Sequence, residues 1–200
     1  MNDLETQLDT QPNDETMTRL HQMLTRRAED QHLLDVGYRT VDSPLGTLLL
    51  AATERGVVRV GFDVQGHDAV LADLAGRVSP RILLAPKRLD AVAHELDEYF
   101  AGSRRGFDVP LDLQLAHGFR REVIAHLRDI GYGQTASYSV MAAAAGSPRA
   151  VRAVGTACAK NPLPLVLPCH RVVRSDGSMG QYAGGADAKR ILLDLERGAA

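Results

Sequence analysis

Between Val36 and Phe62 three strand-like runs are separated by tight turn signals, which commits the first half of the chain to a small sheet. Val36 to Val41 alternates apolar with polar residues. Asp42-Ser43-Pro44-Leu45-Gly46 then reads as a turn, Thr47 to Ala52 is apolar, and Glu54-Arg55-Gly56 turns the chain into Val57 to Val60. That pattern predicts antiparallel strands. Helical periodicity follows over about 67–77 and 89–101, the second with Leu89, Val92, Leu96, Tyr99 and Phe100 on one face. A polar connection from Gly102 to Gly118 carries a short strand-like piece around 107–113. Three parts are therefore expected: an acidic extension over 1–35, an α/β scaffold over 36–110, and a mainly helical domain over 111–200. The fold class is α+β.

The second half reads as helices. Phe119–Ile130 forms one, Gly131-Tyr132-Gly133 a turn, and about Ser137 to Ala145 a short second one. Gly146 closes it, and Ser147 and Pro148 signal the start of the next, running to about Lys160. Two helices joined by a glycine turn, the second holding Arg149 and Arg152 among small residues, fit a helix-turn-helix. Many such helix pairs bind nothing.

Chemistry points to Leu163-Pro164-Leu165-Val166-Leu167-Pro168-Cys169-His170-Arg171. The apolar stretch 163–167 is strand-like, and Pro168 turns the chain where the thiol emerges. A cysteine beside an imidazole and a guanidinium sits where its pKa can be lowered, so Cys169 is the candidate nucleophile. On its own the pair is better explained by a buried structural cysteine, and the apolar run and Pro168 supply the context that favours chemistry.

Charge is uneven over the 200 residues. The first 35 hold eight acidic against three basic residues, and 118–200 hold eleven basic against six acidic, with Arg149, Arg152, Lys160, Arg171 and Arg174 near the Cys-His segment. A basic C-terminal half can hold phosphates although the chain as a whole carries a net charge of −2. The N-terminus lacks the basic and apolar regions of a signal peptide, no apolar run reaches membrane-spanning length, and a cytoplasmic protein is expected. Cys158 and Cys169 are not spaced as a metal or redox pair, and the seven histidines make no ligand pattern. Neither metal nor cofactor is expected. The extension divides into a polar tail and a helix from about Asp14 with Met17, Leu20 and Leu24 on one face.

Pro168-Cys169-His170-Arg171-Val172 resembles the hallmark of the O6-alkylguanine-DNA alkyltransferases. Further matches are Gly131-Tyr132-Gly133-Gln134-Thr135 followed by Ser137-Tyr138, Arg152-Ala153-Val154-Gly155, Asn161-Pro162, and Gly180-Gln181-Tyr182-Ala183-Gly184-Gly185. The resemblance runs from about Tyr38 and is strongest over 119–196. It implies that Cys169 accepts the alkyl group, His170 activates it through a water, and Glu196 orients the histidine. It further implies that Asn161 ties the recognition helix to the active-site turn, and that Tyr138 hydrogen-bonds the flipped guanine. Arg152 then enters the base stack, and Tyr182, Ala183 and the backbone at Val172 wall the pocket, with Gly184-Gly185 allowing close approach to the base. Arg171 either holds the turn or steers DNA.

The implied partner is double-stranded DNA containing alkylated guanine, with O4 of thymine a second candidate substrate, and the implied state is a monomer. Base flipping follows from access, because O6 lies inside the stack. A non-catalytic binder of alkylated guanine and a Cys-His hydrolase are the competing classes. The intact Cys169, His170 and Glu196 set argues against the first, and the lack of an oxyanion-donating loop against the second.

Overall fold

The computed structural model describes residues 14–198. Residues 1–13 of the extension lie outside the described residues. The helix expected from Asp14 is α1, Asp14–Asp30. Thr25 donates to the Leu84 carbonyl at 2.9 Å and Ala28 is buried, while Met17, Leu20, Met23 and Leu24 remain exposed.

Strands β1 (Val36–Val41), β2 (Leu48–Thr53) and β3 (Gly56–Phe62) form the expected antiparallel meander. Helix α2 (His67–Arg77) follows, then β4 (Ile82–Leu84), which pairs parallel to β1. The sheet is thus mixed, in the order β3-β2-β1-β4, rather than purely antiparallel. β2 lies inside the sheet with both faces covered, which accounts for its unbroken apolar run. Leu49 and Ala51 meet Val70 and Leu74 of α2; Leu48, Leu50 and Ala52 point into the main core with α3 (Asp90–Phe100).

The piece at 107–113 is not a strand. A single bridge joins Val57 to Leu111, with Val57 N–H donating to the Pro110 carbonyl and Asp112 N–H to the Val57 carbonyl. This connection covers one end of edge strand β3. Farther along, Val60 N–H donates to the Pro162 carbonyl at 2.9 Å, so the sheet is tied directly to the segment that precedes Cys169.

The helical half comprises α4 (Phe119–His126), continued by a 3-10 turn at Leu127–Asp129, then α5 (Tyr138–Ala144), α6 (Val151–Ala159) and α7 (Gly185–Arg197). Ser137 caps α5 by accepting from Val140 N–H at 3.2 Å. α6 starts three residues later than Ser147-Pro148 suggests, because the chain first makes a turn in which Ala150 N–H bonds to the Ser147 carbonyl. Val154, Ala157 and Cys158 form its buried stripe. Two short strands, β5 (Ala136–Ser137) and β6 (Val172–Val173), pair in parallel and set Tyr138 beside the turn that bears Cys169. No described helix is long and apolar enough to cross a membrane.

Candidate active site

The stretch 163–167 is a buried turn, not a strand. Three prolines, Pro162, Pro164 and Pro168, remove the backbone donors a ladder needs, and Leu165 adopts φ +73°. Burial of Leu163, Leu165, Val166 and Leu167 fixes this turn in the core. Asn161 satisfies its polar groups. Its Nδ2 donates to the Leu167 carbonyl at 2.9 Å and to Cys169 Sγ at 3.2 Å, and its Oδ1 accepts from Leu163 N–H at 3.0 Å. Because Asn161 follows Lys160, the residue that caps α6, one side chain connects that helix end to the sulfur.

Cys169, His170 and Arg171 form a single 3-10 turn, all buried. His170 Nε2 lies 2.8 Å from Glu196 Oε1, and its buried Nδ1 has no protein partner. Glu196 is no surface charge. Its Oε1 also accepts from Tyr99 Oη at 2.6 Å and Arg171 Nη2 at 2.9 Å; its Oε2 accepts from Arg171 Nε at 2.9 Å and Gly133 N–H at 3.1 Å. Arg171 also donates to the Ile130 carbonyl at 2.6 Å. This settles the choice left open for Arg171: it holds the turn, and its buried guanidinium does not face solvent.

Burial disfavours the charged Glu196, yet the donors from His170 and Arg171 outweigh it and hold the carboxyl at about 2. Burial lowers the His170 pKa despite the opposing pull of Glu196, so the imidazole rests neutral. Burial likewise pushes the Cys169 thiol up to about 11, against the lowering effects of the Asn161 hydrogen bond and Lys189. The expectation that its neighbours lower the Cys169 pKa is therefore corrected for the resting site. Desolvation outweighs the neighbouring cations, and the site holds a neutral thiol beside a neutral imidazole backed by an ionised carboxylate.

Tyr138 stands half-buried between α6 and the loop before α7. A Cβ on Gly180 would overlap its ring and hydroxyl, so only glycine admits the tyrosine there. Tyr182 is buried with its ring 5.5 Å from that of Phe62 and 6.1 Å from that of His170, while Ala183 is half-buried. Val172 is buried, and its carbonyl accepts from Lys189 Nζ at 2.6 Å. A Cβ on Gly184 would lie 2.8 Å from the Phe62 ring, so its missing side chain makes room for the sheet. Arg152 is exposed on α6, on the face opposite Val154 and Cys158. Among the described residues, no group of three His, Cys, Asp or Glu side chains is arranged to hold a metal ion.

Residues 36–113 match the family model described as 6-O-methylguanine DNA methyltransferase, ribonuclease-like domain, and residues 118–198 match its DNA binding domain. The chain belongs to the 6-O-methylguanine DNA methyltransferase family. It is 38% identical over 162 residues to the methylated-DNA–protein-cysteine methyltransferase of Mycolicibacterium paratuberculosis, covering 81% of this chain and 93% of that relative. The constitutive methylated-DNA–protein-cysteine methyltransferase of Bacillus subtilis is 37% identical over 161 residues, covering 80% and 94%. Mycobacterium tuberculosis OGT, solved in complex with DNA, superposes with a TM-score of 0.72 at 36% identity, covering 82% of this chain and 94% of that one.

Within this 6-O-methylguanine DNA methyltransferase fold, sequence reasoning passed over three groups that meet the site. Tyr99 was assigned only to an apolar helix face, and its hydroxyl gave no separate signal. Gly133 was part of a motif, but its role is specific: at φ +72° it turns its N–H onto Glu196, and a Cβ would press on the Glu196 carbonyl oxygen. Lys189 is fully buried. It could have been found, since Lys189, Leu192 and Glu196 fall on one helical face seven residues end to end, an arrangement that buries both charges or neither.

Proposed function

We propose that this chain is a direct-reversal DNA repair protein that transfers an alkyl group from O6 of guanine in duplex DNA to Cys169, once per molecule. The observation that carries the reading is the placing of Cys169 and His170 in one buried turn, with Asn161 bonded to the sulfur and His170 bonded to an ionised carboxylate. An ionised Glu196 compensates a positive charge on His170, so the imidazole can take the thiol proton through a bridging water at its unpartnered Nδ1 as sulfur attacks. The sulfur–carbon bond forms as the carbon–O6 bond breaks, and guanine leaves with the electron pair. Tyr138 donates to the departing base. A thioether on Cys169 has no route to hydrolysis here, so the protein is consumed.

Access dictates the rest. Cys169 is only 2% exposed and O6 is inside the base stack, so the nucleotide must leave the duplex at a cost of roughly a few kcal/mol. Arg152, exposed on α6, is the group suited to fill the vacated stack, and Tyr182, Ala183 and Val172 line the receiving pocket. The division of labour follows: 36–110 is the scaffold, 111–200 binds DNA and reacts, and 1–35 is appended to them. Two free thiols support a reducing cytoplasmic setting, with the protein acting as a monomer. The same chemistry extends to O4 of thymine if the pocket admits a pyrimidine.

The test uses a duplex carrying one O6-methylguanine with a radiolabelled methyl group. Label should move to protein and stop at one equivalent per chain. Label that stays on tightly bound DNA would favour a non-catalytic binder, and label released as methanol would favour a hydrolase.

A further inference from the structure

Where the C-terminal end of α6 meets the sheet, a cleft of about 470 Å³ is lined by Arg59, Gln65, Arg77, Arg120 and Lys160, with Asp73 as its carboxylate. Ala159 and Asn161 complete the lining, and of all these residues only Asn161 belongs to the site described above. Asp73 is already committed, paired with Arg77 at 3.1 Å, and the second Arg77 amino group donates to the Leu115 carbonyl. Gln65 uses its carbonyl to accept from Phe62 N–H, which leaves its amide N–H groups for another acceptor. Arg59 Nε is buried and has no hydrogen-bond partner. A buried donor without an acceptor is costly, and an anion in the cleft would remove that cost.

The cleft continues the DNA-facing surface of α6. Arg152, Thr156 and Lys160 are exposed at four-residue spacing along one face, ending at the cleft mouth. Eight residues of helix span about 12 Å. Duplex DNA advances 3.4 Å per nucleotide along each strand, so Lys160 falls about three to four nucleotides from the point where Arg152 meets the stack. We propose that this cleft seats a backbone phosphate of the duplex lying along α6, with Arg59 as the sheet's own contribution to DNA binding. The inference rests on the DNA-repair reading of α6 and assigns the sheet-bearing half a contact that the helix-turn-helix alone does not supply.

Burial already works against the charge on Arg59, and the opposing support comes from Asp73, which is itself paired with Arg77. A phosphate would bring together three cations of the lining, Arg59, Arg120 and Lys160. Phosphate contacts fix register without reading sequence, so the seat would hold α6 along the groove whatever the flanking bases.

The experiment compares the full chain with Arg59→Gln, Arg120→Gln and the Arg59→Gln/Arg120→Gln double variant, using a methylated duplex of fixed sequence and a salt titration of its affinity. For each neutralised phosphate contact the slope of log K against log[salt] should fall by about 0.9. A second duplex carries an uncharged methylphosphonate linkage, moved one step at a time along the strand. In the parent, one position three to four nucleotides from the lesion should lower affinity several-fold, and the double variant should be indifferent to it. Arg120 lies at the cleft rim, so its single variant keeps the test valid if Arg59→Gln perturbs folding, which circular dichroism reports. An unchanged salt slope in a folded Arg120→Gln protein, or an equal methylphosphonate penalty in parent and double variant, overturns the phosphate seat. Failure of the parent to accept methyl from the duplex would instead overturn the repair reading on which it rests.

Discussion

Tyr99 of α3 donates a 2.6 Å hydrogen bond to Glu196 of α7, so a residue of the sheet-bearing half touches the carboxylate that backs His170. The bond draws negative charge away from the edge of Glu196 that faces the imidazole. Tyr99→Phe should therefore keep the fold, cost about 1–3 kcal/mol of stability, and raise the pKa of His170. The low-pH limb of the pH–rate profile should move to higher pH. A profile that overlays the parent would reduce Tyr99 to a packing residue.

Glu196→Gln should act on both rate and acid stability. With the carboxylate gone, protonated His170 loses its counter-charge, and transfer at neutral pH should fall roughly 10²- to 10⁴-fold, by the usual range for a general-base arrangement. The folded carboxyl sits at about 2 against an ordinary value of 4.5, so the unfolded chain takes up this proton first as pH falls. The stabilisation is present above 4.5 and is lost between 4.5 and about 2, on the order of 3 kcal/mol. Urea midpoints measured down that range should fall more steeply for the parent than for Glu196→Gln. Parallel curves would mean that the buried cluster of donors does not hold the carboxyl down.

Gly180→Ala should displace Tyr138, because the added methyl would occupy the position of its ring and hydroxyl. Transfer from a methylated duplex is expected to drop by about tenfold, the value of one hydrogen bond lost in the transition state, while affinity for the duplex stays within twofold. Retained rate in a folded Gly180→Ala protein would show that Tyr138 does not need this seat.

Arg152→Ala removes an exposed side chain from α6 and should leave stability within ±0.5 kcal/mol. Repair of O6-methylguanine in a duplex should slow far more than reaction with the free methylated base, which never leaves a stack. Equal losses on the two substrates would assign Arg152 a structural role.

Much of this could be read from residue order because it depends on local pattern. Cys169-His170-Arg171 announces itself, and the turns at Asp42–Gly46 and Glu54–Gly56 mark out β1 to β3. The parallel strand β4 escaped because three residues carry no period, and its partner β1 lies some forty positions upstream. The stretch 163–167 misled because an apolar run has no period to distinguish a strand from a buried turn; its three flanking and internal prolines were the better guide. The charge network around Glu196 escaped for a different reason. Five donors converge on one carboxylate from three separate segments, and nothing local to Glu196 distinguishes it from Asp194, which remains only partly buried two residues away.

The most direct measurement is the site of the methyl group after reaction. Both cysteines are buried, and burial pushes Cys158 up to about 12, farther than Cys169 and without a neighbouring base. Peptide mapping by tandem mass spectrometry, after mixing the protein with an equimolar O6-methylguanine duplex, should find one methyl group on Cys169, with Cys158 unmodified and no methylation in Cys169→Ala. Methyl on Cys158, on both cysteines, or on the Cys169→Ala protein would contradict the assignment of Cys169 as the acceptor.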